Sequence, residues 1–305
     1  MKSTIVDGPV IAAIDGSDVS RGVIQTAVRM AATLGRSAQV IYVEDWLGDK
    51  AGLAAHADLT KTDVSGSRSN DELLFELVAT ALADAVKQDP DLASVVVERG
   101  LYSGLPTLEI LQRAKDTSAS ALVLGRRGLG GFESLLVGSV SDRVVSYADC
   151  PVIVVDQDPL PSTGVVVVGV EGSPASEVAA MWAAEFASRA GSTLRAVVAW
   201  HEPTLSRWGA GLAPEDLAEM YGADAQRVAA AAIERCRQEY PDLSIDVIVE
   251  RGPASEVLTA AARRTDVQLL IVGSRGHGSI ASTFLGSTAR KCLAISTDVP
   301  VAVIH

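Results

Sequence analysis

The sequence predicts an α/β protein built twice: two tandem doubly wound domains, each with a parallel sheet covered by helices on both faces. Three observations predict it. Apolar runs of strand length alternate along the chain with segments of helical spacing, which implies parallel pairing through helical crossovers. The order of elements restarts after a stretch with two prolines, DQDPLPST, from Asp156 to Thr163. A glycine-rich segment of fixed spacing follows the fourth strand-like run of each half. It reads GRRGLGGFESLLVGS from Gly125 to Ser139 and GSRGHGSIASTFLGS from Gly273 to Ser287. A chain of 305 residues has the length of about two domains. The expected division is 1–156, a linker at 157–163, and 164–305.

In the first half, Val10–Ile14 is a short apolar strand that ends at Asp15-Gly16-Ser17. Ser20–Leu34 has helical spacing in Val23, Ile24, Ala27, Val28 and Ala31, and stops at Gly35. Ala38–Val43 reads as a second buried strand. Apolar periodicity then fades from Glu44 to Ser69, which reads as a long surface loop of the kind used for lids. Asn70-Asp71-Glu72 opens a helix running to about Gln88, because a cap residue precedes two acids in the first turn. Strand three is expected at Val95–Glu98, a helix at Pro106–Ala114, strand four at Ala121–Leu124, a helix at Ser139–Tyr147 and a last strand at Pro151–Val155.

The second half repeats this order. Val165–Val170 ends at Glu171-Gly172-Ser173, a helix spans Ser176–Ala190 up to Gly191, and Leu194–Ala199 is a strand. A loop covers His201–Leu212, followed by a long helix from Pro214 to about Glu239. Then come a strand at Ile245–Glu250, a helix at Ser255–Arg264, a strand at Leu269–Val272, a helix at Ser287–Ile295 and a strand at Pro300–Ile304. The triplet Glu98-Arg99-Gly100 lines up in sequence with Glu250-Arg251-Gly252, and Cys150-Pro151-Val152 with Val299-Pro300-Val301.

Composition narrows the function. Hydrophobic residues make up 48% of the chain and charged residues 21%, enough for packed cores. A formal net charge of −12 excludes the basic footprint of a nucleic-acid binder, though a small anion can still be held by local N–H groups. Cys150, Cys236 and Cys292 are odd in number and lack C-x-x-C spacing, which favours a reducing compartment. With no secretory pattern at MKSTIVDGPV and no apolar run long enough to span a membrane, a cytoplasmic location is expected and no membrane partner.

The chemistry lies in the two glycine loops. Between a strand and a helix start, glycines let bare backbone N–H groups approach a phosphate, and the helix N-terminus adds its dipole. In a doubly wound sheet the crevice opens where the winding reverses, so Asp15 and Gly125 face each other if strands one and four are neighbours. A carboxylate there accepts hydrogen bonds from a ribose hydroxyl or an adenine edge. The plain alternative is that each loop is only a turn and Asp15 only a turn residue. Arg126, Arg127 and Arg275 either neutralise phosphates or sit on the surface, and His277 stands in the same position. Gly-Lys never occurs, so a P-loop is excluded. Gly276-x-Gly278-x-x-Ala281 follows the wrong strand for a dinucleotide fingerprint. The four histidines show no metal-ligand spacing, so no metal site of the protein's own is expected. No nucleophile–base set is apparent, and Cys150 before a proline reads as a packed residue.

Together the Gly-x2-Gly-x9-Gly-Ser loop, the acid after strand one and the closing x-Pro-Val strand resemble the universal stress protein family, over nearly the whole chain. The resemblance implies a five-stranded parallel sheet in each half, in the order 3-2-1-4-5. It implies an ATP-binding regulatory protein of the stress response, with Mg2+ held by the phosphates and without efficient turnover. Slow hydrolysis or autophosphorylation on Ser139 or Ser141, and a nucleotide-free interaction module, stand as alternatives. Ala13, Asp15, Val43, Leu124, Gly125, Gly128, Gly138, Ser139, Val140 and Ser141 would form the first site. Gly169, Glu171, Ala199, Val272, Gly273, Gly276, Gly286, Ser287 and Thr288 match in the second half, with Ala289 at the place of Ser141. Glu171 carries one more methylene than Asp15, which moves its carboxylate about one bond length towards the nucleotide's space. Ala289 lacks a hydroxyl. The first site is therefore the stronger candidate. Pairing through the final strands, as a homodimer or as a pseudo-dimer of the two halves, is a further implication.

Overall fold

A computed structural model describes residues 5–45, 69–127, 137–156, 158–201, 214–276, 285–295 and 299–305. The chain divides into two compact units, one made mostly of Ile5–Ser162 and the other mostly of Thr163–Ser296.

The first half runs β1 (Val10–Ile14), α1 (Ser20–Leu34), β2 (Ala38–Asp45), α2 (Asn70–Gln88), β3 (Val97–Gly104), α3 (Pro106–Asp116), β4 (Ala121–Gly125), α4 (Ser139–Tyr147) and β5 (Val152–Val155). Its strands stand in the order β3-β2-β1-β4-β5, and all four neighbouring pairs are parallel. From β1 to β3 the chain steps one way across the sheet, and from β3 to β5 it steps back. Right-handed crossovers therefore put α1 and α2 on one face and α3 and α4 on the other. Every residue of β1 and β5 is buried, as expected of strands covered on both sides. The apolar stripe of α1 faces β1 and β4. The helix stops where Gly35, at φ +66°, takes the left-handed conformation and donates its N–H to the Ala31 and Ala32 carbonyls.

The second half repeats the plan with β6 (Val165–Gly169), α5 (Pro174–Ala190), β7 (Thr193–Trp200), α6 (Pro214–Glu239), β8 (Ile245–Arg251), α7 (Ala254–Ala262), β9 (Val267–Gly273), α8 (Ser287–Ile295) and β10 (Val301–Ile304). Its strand order is β8-β7-β6-β9-β10. Gly191, at φ +62°, ends α5 as Gly35 ends α1. The turn after the first strand is also copied, with Gly16 at φ +83° and Gly172 at φ +82°.

Two expectations are corrected here. Strand three is Val97–Gly104 rather than Val95–Glu98. It lies at the sheet edge, so its residues alternate between half-buried and exposed and present no apolar run. The residues before it are taken by a 3-10 turn at Pro90–Ser94. The second correction concerns the repeat. Val43 pairs with Tyr102, whereas the matching Ala199 pairs with Glu250. Glu250 thus corresponds to Tyr102 and Gly252 to Gly104, so the two Glu-Arg-Gly triplets are four positions out of structural register (98 against 102).

The segment expected as a linker is not loose throughout. Leu160 is buried, and its N–H donates to Thr26 Oγ1 on α1 at 2.9 Å. Thr26→Val keeps the volume but removes the acceptor from a buried amide. It is expected to lower the unfolding free energy by about 1–3 kcal/mol, read from the midpoint of chemical denaturation.

Candidate functional site

β1 and β4 lie side by side, with Ala13 opposite Leu124 on one flank and Ile41 of β2 on the other. Winding reverses between them, so the crevice of the first half opens beyond their carboxyl ends. Asp15 follows β1. Its Oδ1 accepts from the Ser17 N–H at 3.0 Å and from Ser20 Oγ at 3.4 Å. Ser20 Oγ in turn accepts from the Gly16 N–H at 3.1 Å. The carboxylate is thereby oriented by its own turn. Val43 is half-buried near the end of β2, beside Tyr102.

Gly125 ends β4 under a close approach. A Cβ there would lie 3.2 Å from the Arg127 carbonyl oxygen and 3.3 Å from Val19 Cγ1. Beyond it the loop is closed at its base by backbone, the Gly138 N–H donating to the Arg126 carbonyl at 2.7 Å. Ser141 Oγ donates to the Gly125 carbonyl at 2.7 Å. α4 then starts from an extended Gly138 with no side-chain cap. The first helical bond runs from the Asp142 N–H to the Gly138 carbonyl. The N–H groups of Ser139, Val140 and Ser141 thus form the first turn, where a helix has no partners of its own to offer. Gly128, the middle glycine of the motif, lies outside the described residues.

Arg126 fits neither of the two readings given for the arginines. Arg126 is 1% exposed and faces Asp156, with Nε to Oδ2 at 3.4 Å, so its charge is turned into the fold and away from a phosphate. Arg127 and Arg275 are exposed. His277 lies outside the described residues, as do most of the loops expected at 44–69 and 201–212.

The second half keeps the frame. Val168 faces Ile271, so Gly169, the last residue of β6, and Val272, the last but one of β9, lie on neighbouring strands, and Ala199 is half-buried towards the end of β7. The space of a Cβ on Gly169, where the first half has Ala13, is taken by Leu258 Cδ1 at 2.9 Å. Gly273 packs against the Ala175 carbonyl, with 3.1 Å to a Cβ position. The Gly286 N–H donates to the Ser274 carbonyl at 2.8 Å and closes the loop, and Ser287 and Thr288 begin α8. Ala289 stands where Ser141 makes its bond. Glu171 departs from Asp15. Its Oε1 accepts from Ser173 Oγ at 2.9 Å, and its carboxylate lies directly against Gly276. A pocket of about 380 Å³ adjoins this loop, lined by Ser173, Ala175, Val178, Arg275 and His305 among others.

Sequence reasoning missed three partners: Val19, which presses on Gly125, the Arg126–Asp156 pair, and the serines that hold the acids. The last left no common signal, because Asp15 is held by Ser20, five residues on, and Glu171 by Ser173, two residues on.

The universal stress protein family model matches residues 8–156 and again 163–305. The chain belongs to the universal stress protein family. It is 35% identical over 230 residues to universal stress protein Rv2623 of Mycobacterium tuberculosis, covering 70% of this chain and 73% of that one. To universal stress protein Rv2005c of the same organism it is 32% identical over 243 residues, 75% of each chain. The crystal structure of a universal stress protein from Archaeoglobus fulgidus aligns over 100% of this chain and 99% of its own, with a TM-score of 0.62 at 18% identity, which shows the shared fold. This universal stress protein is of the tandem type. Among the described residues no helix is long and apolar enough to cross a membrane.

The cysteines stand outside this site. Burial raises the thiols of Cys150 and Cys292 from the ordinary 9.0 to about 12 and that of Cys236 to about 11, the Asp149 carboxylate adding to the shift at Cys150. A thiol raised in the folded state stabilises the fold fully below pH 9.0 and loses that contribution as pH climbs towards its folded value. Stability is accordingly expected to fall between about pH 9 and pH 12. At about pH 8, iodoacetamide should label Cys150 and Cys292 in the native protein roughly a thousandfold more slowly than in the denatured chain.

Proposed function

We propose that the first half binds an adenine nucleotide, ATP with Mg2+ held by its phosphates, in the crevice between β1 and β4. In this reading the protein acts as a regulatory binding protein without efficient turnover. One observation carries the proposal: the loop base closed by Gly138 and Arg126 presents an N-terminus of α4 that no side chain caps. First-turn N–H groups and the helix dipole are a ready site for an anion of phosphate type. Gly125 leaves room for the backbone to approach it. The nucleoside would lie towards β2, with Val43 against the base and Asp15 accepting from a ribose hydroxyl. Among the described residues no three of His, Cys, Asp and Glu form a metal cluster. A magnesium ion would therefore be carried by the phosphates themselves.

The arrangement supports binding more than turnover. Asp15 is oriented by its own turn, and the Ser141 hydroxyl is committed to the Gly125 carbonyl, which disfavours it as a phosphate acceptor. Calorimetric titration with MgATP is expected to give saturable binding and to return the nucleotide intact. Gly125→Ala should weaken that binding by roughly tenfold or more, about 1.4 kcal/mol, with an unchanged far-UV circular dichroism spectrum. No heat change at millimolar MgATP for the wild type would refute the reading.

A further inference from the structure

We propose that Glu171 is a built-in anion that fills the phosphate position of the second glycine loop. The second half is thereby closed to nucleotide, and each chain carries one nucleotide, in the first half. This rests on the reading of the first half as the nucleotide site.

The two acids occupy equivalent positions, Asp15 two residues after the Ala13–Ile41 pair and Glu171 two after the Gly169–Val197 pair, and each is followed by a left-handed glycine. Asp15 takes donors from Ser17 and Ser20 within its own turn. Glu171, one methylene longer, takes a donor from Ser173 Oγ in its own turn and also extends to Gly276. A Cβ placed on Gly276 would lie 2.5 Å from Oε1, 2.8 Å from Oε2 and 3.0 Å from Cδ of Glu171. The whole carboxylate therefore sits against Gly276. That glycine stands three residues after Gly273, as Gly128 stands three after Gly125, and is the second glycine of the phosphate motif.

A carboxylate and a phosphate ask the same of this loop: a surface without side chains and local N–H groups. They cannot share it. A nucleotide phosphate brought to Gly276 would meet a like charge in the same place, and unit charges about 4 Å apart repel even in high dielectric. Moving Glu171 away would also break the bond from Ser173 Oγ. Glu171 is exposed and forms no part of the buried core, so its length can be changed without disturbing the fold. Structural need therefore does not account for the longer acid.

The test is the stoichiometry of ATP bound by the intact chain. Equilibrium dialysis with radiolabelled MgATP would be run on the wild type, Glu171→Asp and Glu171→Ala, each checked for fold by circular dichroism. The wild type should bind one mole per mole. E171D, whose acid is one methylene shorter, and E171A, which removes the anion, should each bind two. Two moles on the wild type would overturn the inference while leaving the first site standing, as would one mole on both variants. No binding to the wild type with one mole on E171A would do the opposite: the plug would be upheld and the first-site reading would fail.

Discussion

Much of the architecture depends on how closely the last residue of the fourth strand approaches the start of the first helix in each half. Gly125 lies under Val19, and Gly273 lies against the Ala175 carbonyl and the Ser176 N–H. A side chain at either place would meet neighbours at 3.1–3.3 Å, tighter than packed protein normally allows. The neighbours on the second side are backbone and cannot give way as a flexible side chain can. Glycine there lets the strand end and the helix start sit flush beside the crevice that the reversal of winding opens. The loop that follows need only be tied at its base, and one backbone hydrogen bond does so in each half.

Fold and site were legible to different degrees for physical reasons. Strands buried on both faces, such as Val10–Ile14 and Val165–Gly169, are continuous apolar runs and can be read directly. The helix Asn70–Gln88 was also readable from the acids of its first turn, although its cap is Ser69, one residue before the expected Asn70. The edge strand Val97–Gly104 was not, because half-burial leaves no run to see, and the same weak signal allowed the Glu-Arg-Gly triplets to be matched out of register. At the site, glycine spacing and acid position could be read, since they reflect backbone requirements. The partners of long side chains could not. Arg126 stands inside the loop motif, and only the fold shows that its guanidinium turns inward to Asp156.

Duplication explains why the second half can depart from the first without losing its shape. Its sheet is held by Val165–Gly169 and Val267–Gly273, buried almost throughout, and its loop base by backbone bonds from Gly286 and Ser274. None of these depends on the acid after the first strand. An exposed position above an intact frame tolerates a longer acid, and the added methylene accompanies a carboxylate that lies against Gly276.

The residue after the strand-ending glycine shows a second asymmetry in the same direction. Arg126 and Ser274 make the same two backbone bonds. Their N–H groups reach Val155 and Ile304, and their carbonyls receive Gly138 and Gly286. Only Arg126 adds a side-chain anchor, buried and paired with Asp156 just beyond β5. Removing one partner of a buried pair strands the other, which makes such a position costly to move. The backbone that carries the Gly138 bond is thus fixed from within the fold in the first half and by its peptide groups alone in the second. A rigid loop base holds first-turn N–H groups where an anion can use them without an ordering cost. The half with the shorter acid is also the half with the anchored loop.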